Sequence, residues 1–122
     1  MPVEDLAAII LAAGYSSRMA DFKPLLSLGD STVIETVIRT FRQAGVSDIT
    51  VVIGHRADEL KPALNRSHVG WIYNERYGEG MYSSVVSGLQ ALKPAVKGVF
   101  LLPADIPLVK SLTIKKITLA YR

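Results

Sequence analysis

The chain has 122 residues, the size of one domain and enough to bury a core. With 49% hydrophobic and 20% charged residues it is not a disordered chain, and with no cysteine it can form neither disulfides nor thiolate metal sites. The formal net charge of +3 favours anionic ligands, but the basic residues are scattered and form no patch of the kind that binds nucleic acid.

Met1–Asp5 carries two acids and no basic segment, so it does not read as a secretory signal. No apolar run approaches the ~20 residues of a membrane helix, and a cytoplasmic protein without a membrane partner is expected. Leu6–Ala13 is unbroken apolar sequence, and Leu6–Ala12 reads as a strand buried on both faces of a parallel sheet. Gly14 breaks this run, and a loop carrying Ser16, Ser17, Arg18, Lys23 and Pro24 follows. Thr32 caps a helix, with Glu35 completing a capping box. Val33, Ile34, Val37, Ile38 and Phe41 recur at helical spacing, and Gly45 ends the helix.

Ile49–Ile53 is a second buried strand, followed by a short helix around Ala57–Leu64 that Pro62 weakens. Gly70–Tyr73 reads as a third strand, with Trp71 packing in the core. Ser83 or Ser84 caps a helix bearing Val85, Val86, Leu89 and Leu92. Val99–Leu102 is a fourth strand, and Ser111 opens a last helical segment, where Lys115 and Lys116 read as a solvated face. Strands alternating with helices imply βαβ units, a mostly parallel sheet and an α/β, Rossmann-like three-layer fold within one domain over residues 1–122. Ligands in such sheets sit at the carboxyl ends of the strands, so the loops Ala13–Lys23, Asn74–Met81 and Pro103–Pro107 should share one rim.

Three stretches on that rim carry chemistry. In Leu11–Leu26, Gly14 and the small serines let backbone N–H groups converge on phosphate oxygens. Arg18 can fork onto two such oxygens, and Lys23, aimed by Pro24, adds a point charge. The same composition suits an ordinary strand-to-helix connection with two solvated cations, and neither G-x-G-x-x-G nor G-x-x-x-x-G-K-[ST] is present. In Leu101–Leu108, Asp105 between Pro103 and Pro107 is either a hard oxygen ligand for Mg²⁺ or an Asx-turn. In Asn74–Ser84, Gly78, Gly80 and the serines form either a wall for a base and sugar or a glycine-rich turn with an N-cap. His55 is a satisfied loop histidine or a substrate contact, and His68 lies at the surface. The two histidines are not spaced as a metal pair, and Arg66 and Arg76 receive no role.

The run A-A-G-x-x-S-R-M-x-x-x-K-P-L-L directly after a first strand resembles the signature of nucleotidyltransferases that activate a metabolite with a nucleoside triphosphate. It is most similar to the MobA/MocA-like NTP transferases of the molybdenum-cofactor branch, the molybdopterin guanylyl- and cytidylyltransferases. This resemblance implies that Leu11, Ala12, Ala13, Gly14 and Ser17 line the nucleotide, and that Asn74, Gly80 and Ser84 lie along the same pocket. It implies Arg18 and Lys23 as catalytic cations that also bind the nucleotide, and Asp105 as the ligand of Mg²⁺. G-M-x-S-S at Gly80–Ser84, and Ala13 where the guanylyl branch has a second glycine, favour CTP over GTP.

The implied reaction moves a nucleoside monophosphate to a phosphorylated acceptor, with molybdopterin the acceptor that the resemblance suggests and a molybdoenzyme or accessory protein a further partner. The family continues past the position of Arg122 with strands that complete the acceptor side, so the chain is expected to match its nucleotide-binding portion. Three other readings stay open: a nucleotide-binding accessory module without turnover, a sugar-phosphate nucleotidyltransferase, and a flavodoxin-like regulator.

Overall fold

The computed structural model describes residues 6–13, 27–28 and 31–103. The elements are β1 (Leu6–Ala12), β2 (Ser27–Leu28), β3 (Ser31–Thr32), α1 (Val33–Gln43), β4 (Asp48–Ile53), α2 (Ala57–Arg66), β5 (Gly70–Tyr73), a 3-10 turn at Tyr77–Glu79, α3 (Met81–Gln90) and β6 (Gly98–Pro103). Among the described residues, four strands form a parallel sheet in the order β5-β4-β1-β6. β1 therefore lies inside the sheet, with Ala12 opposite Ile53 on one side and Leu11 opposite Pro103 on the other.

That position explains the apolar first strand. Ala8, Ile10 and Ala12 pack with the buried faces of α1 and α2, whereas Ile9 and Ala13 join Val52 on the opposite face. A strand covered on both faces has no solvated side on which to place a polar residue. Phe41 of α1 reaches across to Phe100 of β6, with ring centroids 5.6 Å apart.

α1 follows the expected box: Thr32 Oγ1 accepts from the Glu35 backbone N–H at 3.3 Å, and the Thr32 N–H donates to Glu35 Oε1 at 3.2 Å. Gly45 then turns left-handed at φ 92°, ending the element. α2 runs through Pro62 to Arg66, two residues beyond the expected end, because Leu60, Ala63 and Leu64 bury its inner face. That burial outweighs the one backbone hydrogen bond that proline removes.

Several expectations are corrected. α3 begins at Met81 with Gly80 as its N-cap and no side-chain cap. Neither Ser83 nor Ser84 is the cap, because both hydroxyls are engaged elsewhere, and Leu92 falls beyond the helix. Trp71 is 38% exposed rather than in the core: β5 is at the margin of the described sheet, and the Lys61 ammonium sits 5.0 Å from the indole centroid. The antiparallel pair β2-β3 and the 3-10 turn are additions. The helix expected from Ser111 lies outside the described residues. Among the described residues no helix is long and apolar enough to cross a membrane.

Candidate functional site

Because the four strands are parallel, Ala12, Ile53, Tyr73 and Pro103 all end on one edge of the sheet. Hydrogen bonding continues past the strand ends. The His55 N–H donates to the Ala13 carbonyl at 3.0 Å, and the Asn74 N–H donates to the Ile53 carbonyl at 2.8 Å. The segments leaving β1, β4 and β5 are therefore tied to one another where they enter the edge.

Tyr77 packs onto this junction. A Cβ on Gly54 would lie 2.6 Å from Tyr77 Cβ, so only glycine fits beneath the tyrosine. The Tyr77 ring centroid stands 6.1 Å from that of His55 and 6.5 Å from that of Tyr73.

A buried polar knot joins the end of β5 to the start of α3. Asn74 is 4% exposed and Ser84 3% exposed. Asn74 Nδ2 donates to Ser83 Oγ at 2.9 Å and to Ser84 Oγ at 3.0 Å, while Oδ1 accepts from the Arg76 N–H at 3.0 Å. Gly80 caps α3 at φ 108°, a left-handed conformation that favours glycine. The first turn of α3 contains no acidic residue. A cleft of about 740 Å³ opens beside the knot, lined by Asn74, Arg76, Glu79, Tyr82, Ser83 and Ser87 among others.

The charges flanking the edge are paired locally. Arg76 and Glu79 approach to 3.8 Å, and the Arg56 guanidinium binds Glu59 in a two-pronged contact. That hydrogen bond holds the exposed Glu59 carboxyl below the ordinary glutamate range.

Of the expected site residues, half-buried Leu11 and buried Ala12 and Ala13 end β1 at this edge. Asn74, Gly80 and Ser84 gather at the neighbouring strand and helix termini. Gly14, Ser17, Arg18, Lys23 and Asp105 lie outside the described residues. The contact of Gly54 with Tyr77 was not anticipated, although a glycine directly after a buried strand on the ligand edge is the signal that could have suggested it. No group of three or more His, Asp or Glu side chains able to hold a metal occurs among the described residues. Asp105 follows the end of β6 by two positions in sequence. One hard oxygen donor of this kind suits Mg²⁺ carried largely by phosphate oxygens, and not a cage built wholly of protein ligands.

Comparison with known proteins agrees with this architecture. The family described as the MobA-like NTP transferase domain matches residues 8–122. The bifunctional protein GlmU of Marinobacter nauticus is 34% identical over 113 residues, 90% of this chain but 24% of the relative. A nucleotidyl transferase from Methanothermobacter thermautotroptrophicus superposes with a TM-score of 0.85 at 30% identity, over 94% of this chain and 57% of that one. Rv0371c of Mycobacterium tuberculosis H37Rv in complex with manganese gives a TM-score of 0.80 at 25% identity, over 96% of this chain and 59% of that one. The chain thus spans about a quarter of that curated relative and somewhat over half of those solved structures. With the parallel sheet, its ligand edge and a match across nearly the whole sequence, the chain belongs to the MobA-like NTP transferase domain family.

Proposed function

We propose that the protein transfers a nucleoside monophosphate from a nucleoside triphosphate to a phosphorylated acceptor. An acceptor phosphate oxygen attacks the α-phosphorus, the bond from that phosphorus to the β-bridging oxygen breaks, and pyrophosphate leaves. In-line displacement of this kind needs positioning and charge neutralisation, not a protein nucleophile. The observation that carries the reading is the shared edge, where the segment leaving β1 is hydrogen-bonded to the one leaving β4, beside the Asn74–Ser84 knot.

In this reading the backbone from Leu11 to Gly14, with Ser17, takes the nucleotide, and Gly80 and Ser84 form the facing wall. Arg18 and Lys23 offset charge on the transition state and the departing pyrophosphate. Asp105 holds Mg²⁺, which when bound neutralises phosphate charge and orients the triphosphate. The manganese in the Rv0371c complex supports a divalent ion as the class of cofactor.

CTP is preferred to GTP on the Ala13 and Gly80–Ser84 sequence. For the acceptor, a sugar phosphate ranks ahead of molybdopterin, because several curated relatives that the chain matches carry the name GlmU. The test is pyrophosphate release with CTP, GTP, UTP and ATP, each with Mg²⁺ and either sugar phosphates or molybdopterin. Acceptor-dependent release, highest with CTP and a sugar phosphate, is expected. Nucleotide binding with no release under any combination would favour the accessory-module reading, and no binding at all would overturn the nucleotide site.

A further inference from the structure

β5 pairs with β4 along one side, and along its other side it has no partner strand among the described residues. The Asn74 N–H donates to the Ile53 carbonyl of β4 at 2.8 Å. Alternate residues of a parallel strand turn their N–H and C=O groups to the same neighbour, so Ile72 faces β4 as well. The main-chain groups of Trp71 and Tyr73 therefore point outward from the sheet. Their side chains are also exposed, at 38% and 50%, on the face that carries α2. Ile72 lies on the opposite face, packed against the cluster of Ile9, Ala13 and Val52.

This edge is self-complementary. When a second β5 runs antiparallel about a twofold axis through Ile72, Trp71 of each copy stands opposite Tyr73 of the other. Both members of each pair have outward main-chain groups, so each pair exchanges both N–H···O bonds and sets an indole against a phenol. A register moved by one residue would set outward groups against groups already bonded to β4.

The charges agree with the same register. α2 links two parallel strands and so runs against them, which places Asp58 nearer Tyr73 and Lys61 nearer Trp71. Lys61 Nζ lies 5.0 Å from the indole centroid, while Asp58 and Tyr73 line one cleft. The Asp58 side chain is almost wholly exposed. Three helical residues rise about 4.5 Å and two strand residues about 6.6 Å, so the twofold brings Lys61 of each copy roughly level with Asp58 of the other.

We infer that this edge joins two copies of the chain into an antiparallel β5–β5 dimer, with Lys61 and Asp58 as the charge pair that selects its register. The joint is a strand of 4 residues with its flanking side chains, on the scale of a transient rather than an obligate interface. Association is therefore concentration-dependent, and it does not require the nucleotide reading above.

Sedimentation velocity of the full chain across the micromolar range, without nucleotide, tests this. The wild-type chain should pass from monomer to dimer as concentration rises. Asp58→Lys sets lysine against lysine across the joint, and Lys61→Asp sets aspartate against aspartate. Each variant alone is expected to associate about tenfold more weakly. An equimolar mixture of the two variants brings opposite charges together at both pairs and should restore dimers. A wild-type chain that stays monomeric throughout overturns the dimer. Variants that associate like the wild type, or a mixture no more dimeric than its components, overturn this edge and register.

Discussion

Gly88 of α3 sits directly on Ile9 of β1: a Cβ at position 88 would lie 2.6 Å from Ile9 Cγ2 and 3.3 Å from Val52 Cγ2. Ile9 is fully buried and branched at Cβ, so its γ-methyl cannot swing aside. Removing a helix-interior glycine would by itself stabilise by about 0.5–1 kcal/mol. Forcing a methyl into this contact costs about 1–3 kcal/mol and should win. Gly88→Ala is therefore expected to lower the urea midpoint, and an unchanged or raised midpoint would show that α3 does not seat on the sheet at this residue.

Glu35 links folding to pH. Burial alone would raise its pKa, but hydrogen bonds from the Thr32 hydroxyl and backbone, together with the Arg66 guanidinium 3.5 Å away, outweigh that effect and hold it below the ordinary value of 4.5. A carboxyl whose folded pKa is depressed stabilises fully above its unfolded value, and the contribution disappears as pH falls through the folded value. Glu35→Gln keeps a side-chain acceptor for the cap and removes the charge. Its stability deficit relative to wild type should be present at pH 7 and shrink below pH ~4.5, measured by denaturant unfolding across that range. A deficit independent of pH would assign the whole effect to packing.

Much of this architecture is legible in the chain because local and tertiary signals agree. Leu6–Ala12 and Gly70–Tyr73 coincide with the observed strands, and Thr32 with Glu35 marks the first residue of α1. Disagreement arises where a long-range contact overrides a local preference. Ser83 and Ser84 look like caps, but Asn74, nine and ten residues earlier, binds both hydroxyls, and the helix starts at Met81 instead. Trp71 reads as core by its size, yet strand order leaves it beneath a lysine at the side of the sheet. The pair β2-β3 carries little sequence signal because each strand is only two residues long, although Gly29-Asp30 is a two-residue hairpin spacing. At the candidate site, topology places the loop Asn74–Met81 on the rim, whereas Ser84 is implied only by the family resemblance. The partition of hydrogen bonds between Ser83 and Ser84 depends on side-chain geometry that spacing does not encode.

Gly54 couples folding to the same edge. Tyr77 Cβ and Cγ would lie 2.6 Å and 2.8 Å from a methyl at position 54, and these atoms next to the main chain cannot move without the 3-10 turn. Gly54→Ala should cost about 1–3 kcal/mol and displace the segment that carries Asn74 and Arg76. The variant is expected to bind Mg²⁺–CTP more weakly than Gly88→Ala, whose strain falls at the opposite end of α3, when both are compared at a temperature where each is folded. Equal nucleotide affinities in the two variants would separate the Tyr77 contact from the site.

The charged residues proposed for catalysis make the sharpest contrast between stability and turnover. Transition-state charge is offset by groups already in place, and loss of one such group commonly costs about 10²–10³ in kcat. Lys23→Ala and Arg18→Ala should each lower acceptor-dependent pyrophosphate release by about that factor, with little change in Tm. Arg18→Lys should recover only a small part of the loss, since an ammonium cannot engage two phosphate oxygens in the planar geometry of a guanidinium. Asp105→Asn keeps the size of the side chain but removes the charge from the metal ligand, so it should raise the Mg²⁺ concentration needed for half-maximal release. If Asp105→Asn shows wild-type Mg²⁺ dependence while Lys23→Ala is inactive, the metal is held without this carboxylate and the phosphate-binding loop stands alone.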